Sequence, residues 1–302
     1  MNTQKTEIAN RVVTACTLEV LSPKPGNVSP GHNFSDATVA DFLKSAAAIA
    51  PVLASAAEQS LGRTILNSVT ATRKVVEHNT NLGIILLLAP LAAVPADVSL
   101  SEGMRRVLEN STIEDARQVY AAIRTAQPSG LGESAEQDVR DEPGMTLREC
   151  MILAAGRDMI AAQYANGFRQ ILNEGLEWLQ ESAIVTPSQP RRIAWLAVRL
   201  MSEFGDTLIA RKCGAEMSES VRSRAQEVLA SGWPNTEASH SRFAEFDRFL
   251  RADENQRNPG TTADFIAAIL FAGLREGVFV PDADWDDTRQ DLKVARNDGE
   301  FL

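Results

Sequence analysis

Between Ser22 and Asn33 the chain reads Ser-Pro-Lys-Pro-Gly-Asn-Val-Ser-Pro-Gly-His-Asn. Proline fixes φ and glycine admits close backbone approach. Such a loop holds Lys24, Asn27, His32 and Asn33 at a pocket mouth with little entropy left to lose on binding. The same residues also suit a stiff turn between two helices.

Four further polar stretches interrupt an otherwise apolar chain. His78-Asn79-Thr80-Asn81-Leu82-Gly83 opens the most apolar segment. A helix beginning there presents unpaired N–H groups and a positive dipole end, which suit a phosphate or only an Asn/Thr cap. Asp138, Asp141 and Glu142, beyond Gly130, Gly132 and Glu133, have the spacing to hold a hydrated cation such as Mg²⁺, or form a solvated acidic loop. Asp206 precedes Arg211 and Lys212, cations that favour a helix C-terminus or grip a polyphosphate. Asn258-Pro259-Gly260-Thr261-Thr262-Ala263-Asp264 reads as a helix start whose Asp264 serves the dipole or a site.

Helices must position these loops. Apolar residues recur at helical spacing along Ile8–Cys16, Val39–Ala46, Ile65–Val76, Ile113–Ile123, Ile193–Phe204, Val221–Val228, Phe243–Leu250 and Phe265–Phe271. Gly83–Val94 is apolar all round and predicts a central buried helix. Thr146-Leu147-Arg148-Glu149 is a capping-box pattern, opening a helix expected to run towards Tyr164. Pro51 is expected to kink the second helix. No convincing alternating stretch marks a strand. The expected fold is all-α, with residues 1–280 as one helical catalytic domain and 281–302 as an acidic, polar tail.

A formal charge of −10 argues against general nucleic-acid binding. The longest apolar run, Ile84–Val94, falls short of a membrane span. The start lacks a signal-peptide core, and the three cysteines form no pair or zinc spacing, so a cytoplasmic protein is expected. A homodimer is compatible with the composition. No GxxxxGK[ST], strand-linked GxGxxG or GxSxG motif occurs, so any nucleotide needs a helical pocket of another kind.

The order and spacing of Lys24-Pro25-Gly26-Asn27-Val28 with Gly31-His32, Asn79-Thr80-Asn81-Leu82-Gly83, Asp206-Thr207 with Arg211-Lys212-Cys213-Gly214, and Pro259 to Asp264 resemble the triphosphoribosyl-dephospho-CoA synthase family from about Ile8 to Gly277. The resemblance implies an all-α enzyme, ATP and a dephospho-CoA-like acceptor as partners, and Mg²⁺. The acceptor 2′-hydroxyl attacks the ribose anomeric carbon of ATP and adenine leaves. Under it, Lys24, Arg211 and Lys212 contact phosphates, and Asn27, Asn79, Thr80 and Asn81 contact the nucleotide. Asp138, Asp141 or Asp206 carries Mg²⁺. Glu133 or Asp264 accepts the proton, and His32 donates to the leaving base.

The chain departs from the family pattern in places. Asn81-Leu82 stands where the family has His-Lys, and the carboxylate after His32 is displaced to Asp36. These departures mark a divergent branch. They keep two alternatives open: a cofactor-biosynthesis enzyme acting on a different nucleotide, pterin or phosphate-bearing acceptor, and a non-catalytic helical binding protein.

Overall fold

Thr38, Thr112 and Thr146 each start a helix by the same device. The threonine hydroxyl accepts the N–H three residues on, and the acid there, Asp41, Asp115 or Glu149, accepts the threonine's own N–H. The computed structural model describes residues 3–128 and 136–282. In chain order its helices are α1 (Thr3–Leu21), α2 (Val39–Leu53), α3 (Leu61–Arg73), α4 (Leu82–Ala93), α5 (Leu100–Glu109), α6 (Ile113–Ala126), α7 (Leu147–Ala154), α8 (Met159–Asn166), α9 (Leu176–Val185), α10 (Gln189–Phe204), α11 (Thr207–Cys213), α12 (Ala215–Ala230), α13 (Glu237–Arg251) and α14 (Gly260–Glu276). A π-helical segment, Gln170–Gly175, leads into α9, and no strand occurs among the described residues. The all-α expectation holds.

Two helices form the centre. Leu82 and Ile84 through Ala92 of α4 are buried, so this helix has no solvent face to keep polar. α14 packs against α1, α4, α9 and α10 and buries Phe265 through Gly273 without a break. Around them, α1 packs on α2, α3 on α2 and α6, and α10 on α9 and α12.

Pro90 inside α4 has no N–H to give the carbonyl of Leu86, four residues back. The fully buried Tyr164 hydroxyl donates to that carbonyl at 2.6 Å. Tyr164→Phe is therefore expected to cost about 1–3 kcal/mol, the penalty of a buried acceptor left unpaired. In a Pro90→Ala background the helix supplies its own N–H, and the same change should cost less in urea denaturation. Equal losses in both backgrounds would refute this pairing.

Some boundaries differ from expectation. The helix from Leu147 stops at Ala154, because Asp158 starts α8 afresh by accepting the N–H groups of Ile160 and Ala161. α3 ends at Arg73, short of Val76. α5, capped by Ser99, was not anticipated. Pro51 lies in the last turn of α2, and the helix continues only to Leu53. Val39–Glu58 is long and apolar enough to cross a membrane by length and composition; here it is α2 and a following 3₁₀ turn, with α2 packed on α1 and α3. Glu133, its neighbouring glycines and nearly all of the 281–302 tail lie outside the described residues.

Candidate active site

A cavity of about 710 Å³ opens where the first turns of α4, α8, α11 and α14 meet. Four helix N-termini turn positive dipole ends towards one cavity, while side-chain caps take first-turn N–H groups of each. α6 and α7 line it on another side, together with parts of α1 and α2 and the loops at 27–37 and 254–258.

The start of α4 is shaped by three consecutive polar residues that all line the cavity. Asn79 Oδ1 accepts the N–H of Leu82 at 3.1 Å. The Thr80 hydroxyl pairs with that of Ser45 at 2.6 Å. Asn81 Oδ1 accepts from the Thr72 hydroxyl at 3.1 Å, and its buried Nδ2 has no partner among the described residues.

Asp264 reaches over this helix start from one turn into α14, past the first turn in which the sequence placed it. A β-carbon at Gly83 would stand 1.9 Å from one of its carboxylate oxygens, so only glycine leaves room for the acid. No described group hydrogen-bonds the Asp264 carboxylate, which borders the cavity. Burial first, then the negative charges of Glu19 and Asp206, hold its pKa well above the usual carboxylate range.

Cations stand just before α8 and in the last turn of α11. Arg211 forms an ion pair with Asp158, and both border the cavity with Arg157. Lys212 Nζ donates to Asn258 Oδ1 at 2.9 Å, and partial burial lowers its pKa. Asn27 also lines the cavity; its Nδ2 donates to the Pro259 carbonyl at 3.1 Å, tying the first loop to the start of α14.

The structure thus gathers Asn27, Asn79, Thr80, Asn81, Arg211, Lys212, Asp138 and Asp264 around one cavity. It does not bring the other candidates there. Lys24 is fully buried, with Nζ 3.0 Å from Glu19 Oε1 and further bonds to the carbonyls of Glu19 and Ser22, so it has no donor to offer a phosphate. Asp206 is equally buried. Its Oδ1 accepts the N–H groups of Leu208 and Ile209, and its Oδ2 accepts the N–H and hydroxyl of Thr262. Four donors fill a carboxylate's capacity, so Asp206 joins α11 to α14 and is not placed to ligate Mg²⁺.

His32 is exposed and lies off the cavity wall, its backbone paired with Ser29. Asp141 is exposed and also off the wall. Asp138 lines the cavity but is engaged by Arg140 at 2.8 Å. Among the described residues no three His, Cys, Asp or Glu side chains converge as a metal site.

Two cavity residues received no role from the sequence, although His78 stands in the stretch that opens α4. His78, whose Nε2 has no hydrogen-bond partner among the described residues, occupies the wall in place of His32. Glu19 is buried on α1 and lines the cavity, with Lys24 behind it. Its signal was a lone acid in the apolar run Cys16–Leu21, five residues before a lysine.

Comparison with known proteins bears on the fold and the family. A solved structure from Archaeoglobus fulgidus, of a proposed triphosphoribosyl-dephospho-CoA synthase, superposes with a TM-score of 0.60 at 26% identity. That match covers 78% of this chain and 99% of the other. No curated protein matches the chain. The family model of the ATP:dephospho-CoA triphosphoribosyl transferases (CitG) matches residues 5–280. With nearly the whole helical body matched, the chain belongs to the ATP:dephospho-CoA triphosphoribosyl transferase family.

Proposed function

We infer that the cavity binds ATP, with Mg²⁺ as part of that substrate, beside a dephospho-CoA acceptor, and that Asp264 is the proton acceptor. The carrying observation is the Asp264 carboxylate, unpartnered and of raised proton affinity, held at the start of α4 by the bare Cα of Gly83. A base with its pKa moved towards neutrality suits removal of a hydroxyl proton.

The step balances without a further reactant. The acceptor 2′-oxygen bonds to the ribose anomeric carbon of ATP as its proton passes to Asp264. The bond from that carbon to adenine N9 breaks, and its electron pair leaves with the base. His78 takes the role of hydrogen-bond donor to the departing adenine. Arg157, Arg211 and Lys212, with the helix N-termini, hold the triphosphate and fix the reacting carbon. Such an ion would be held mainly by the phosphates, with Asp36 a carboxylate on the cavity wall that has no ion pair or cap to give up among the described residues.

Incubation with ATP, Mg²⁺ and dephospho-CoA is expected to release adenine and to yield a product of dephospho-CoA mass plus a triphosphoribosyl unit. Chromatography with mass detection reads both, and no adenine would overturn the reading. Gly83→Ala tests the placement of Asp264. Alanine favours a helix over glycine, by roughly 0.5–1 kcal/mol, yet its methyl displaces the carboxylate. Turnover should fall about 100-fold in a protein that melts no lower than wild type. Full activity in this variant would remove Asp264 from the reacting centre.

A further inference from the structure

The cavity has apolar side chains on several sides, and those on α6 and α7 lead out to exposed apolar residues. Val119 and Ile123 of α6 and Leu147, Met151 and Leu153 of α7 line it with apolar side chains. α7 packs on α6 and α8, whereas the helix carrying Asp264 packs on α1, α4, α9, α10 and α11. The apolar track does not end inside. Leu153 lines the cavity and is 41% exposed, and its neighbour Ile152 is 44% exposed. Apolar side chains that run from a cavity floor out to solvent call for a ligand that does the same.

The two substrates differ in the parts they bring to such a wall. Phosphates belong with Arg157, Arg211 and Lys212. The adenine of ATP must leave from the reacting carbon and so lies by Asp264. Dephospho-CoA is ADP extended by pantetheine, a long uncharged arm of methylenes and two amides ending in a thiol. That arm alone needs an apolar track leading away from the reacting centre to the surface. We propose that the α6–α7 wall, through Met151 and Leu153, holds the pantetheine arm and makes the enzyme choose a CoA-type acceptor over ADP. This assignment rests on the transfer reaction inferred above.

Isothermal titration of the full chain with dephospho-CoA, ADP and ATP separates the two claims. The wild type should bind dephospho-CoA at least tenfold more tightly than ADP, since the arm adds buried apolar contact. Leu153→Asp, at a partly exposed position, should remove most of that difference and shift ADP and ATP affinity less than twofold. Leu153→Ala, with an unchanged melting curve, should lose part of it. Equal wild-type affinity for dephospho-CoA and ADP would overturn the arm site while adenine release stood. So would equal weakening of all three ligands in Leu153→Asp. A wild type that releases no adenine yet keeps the arm preference would instead sink the transfer reading alone.

Discussion

Asp264→Asn is expected to lower turnover by 10²–10⁴-fold, the range for loss of a general base, while leaving the affinity for ATP within a fewfold of wild type. Asparagine keeps the shape beside Gly83 and removes the proton acceptor. The same change should stabilise the protein at neutral pH. The folded pKa of Asp264 is raised by burial and by the charges of Glu19 and Asp206, so the folded chain holds this proton more tightly than the unfolded chain. Its contribution to stability is complete below the unfolded pKa and is lost as pH rises through the folded one. Asparagine cannot ionise and escapes that loss, so the melting temperature at about pH 7–8 should rise. The rate of the wild type should climb with pH across the raised pKa. Adenine release and thermal melting check both halves. Activity within tenfold of wild type would end the base assignment.

Lys24→Met should be the most destabilising single change among the cavity's supporting residues. It removes one partner of an ion pair whose side chains are 0% and 4% exposed and leaves the Glu19 carboxylate buried without its cation. Breaking such a pair costs roughly 3–5 kcal/mol. Glu19→Gln added to Lys24→Met removes the stranded charge, so the double variant should recover part of the loss. Recovery stays incomplete, because the amino group also serves the carbonyls of Glu19 and Ser22. Urea denaturation of the two single variants and the double measures the coupling. Additive losses would mean the two charges do not support each other.

The sequence was most legible where a residue acts on its own neighbours. Thr112 and Thr146 cap the helices that begin at the next residue, bonding an N–H three residues on, and the unbroken apolar run of α4 needs no partner to announce burial. It was least legible where direction matters. Lys24 and Lys212 look alike as loop cations, yet the turn at Pro25-Gly26 follows a lysine directed inward onto α1, while Lys212 borders the cavity. Gly26 donates to Asp247 at 2.8 Å, and a β-carbon there would meet Leu250 at 2.6 Å, so the tightness of this loop serves docking on α13. His32 and His78 are each a histidine beside an asparagine, and only the packing of α2, α3 and α4 places the second on the cavity wall. The family resemblance made Asp206 a candidate for Mg²⁺, but Thr262, 56 residues later, takes one of its oxygens and the α11 amides the other. Spacing along the chain carries no information about such distant partners.

α14 is the last described helix, and it brings Asp264 to walls built by residues 19 to 212. Synthesis runs from the other end. A chain still emerging from the ribosome therefore assembles its cations and apolar surfaces first, and becomes competent to activate a hydroxyl only when α14 packs onto α1 and α4.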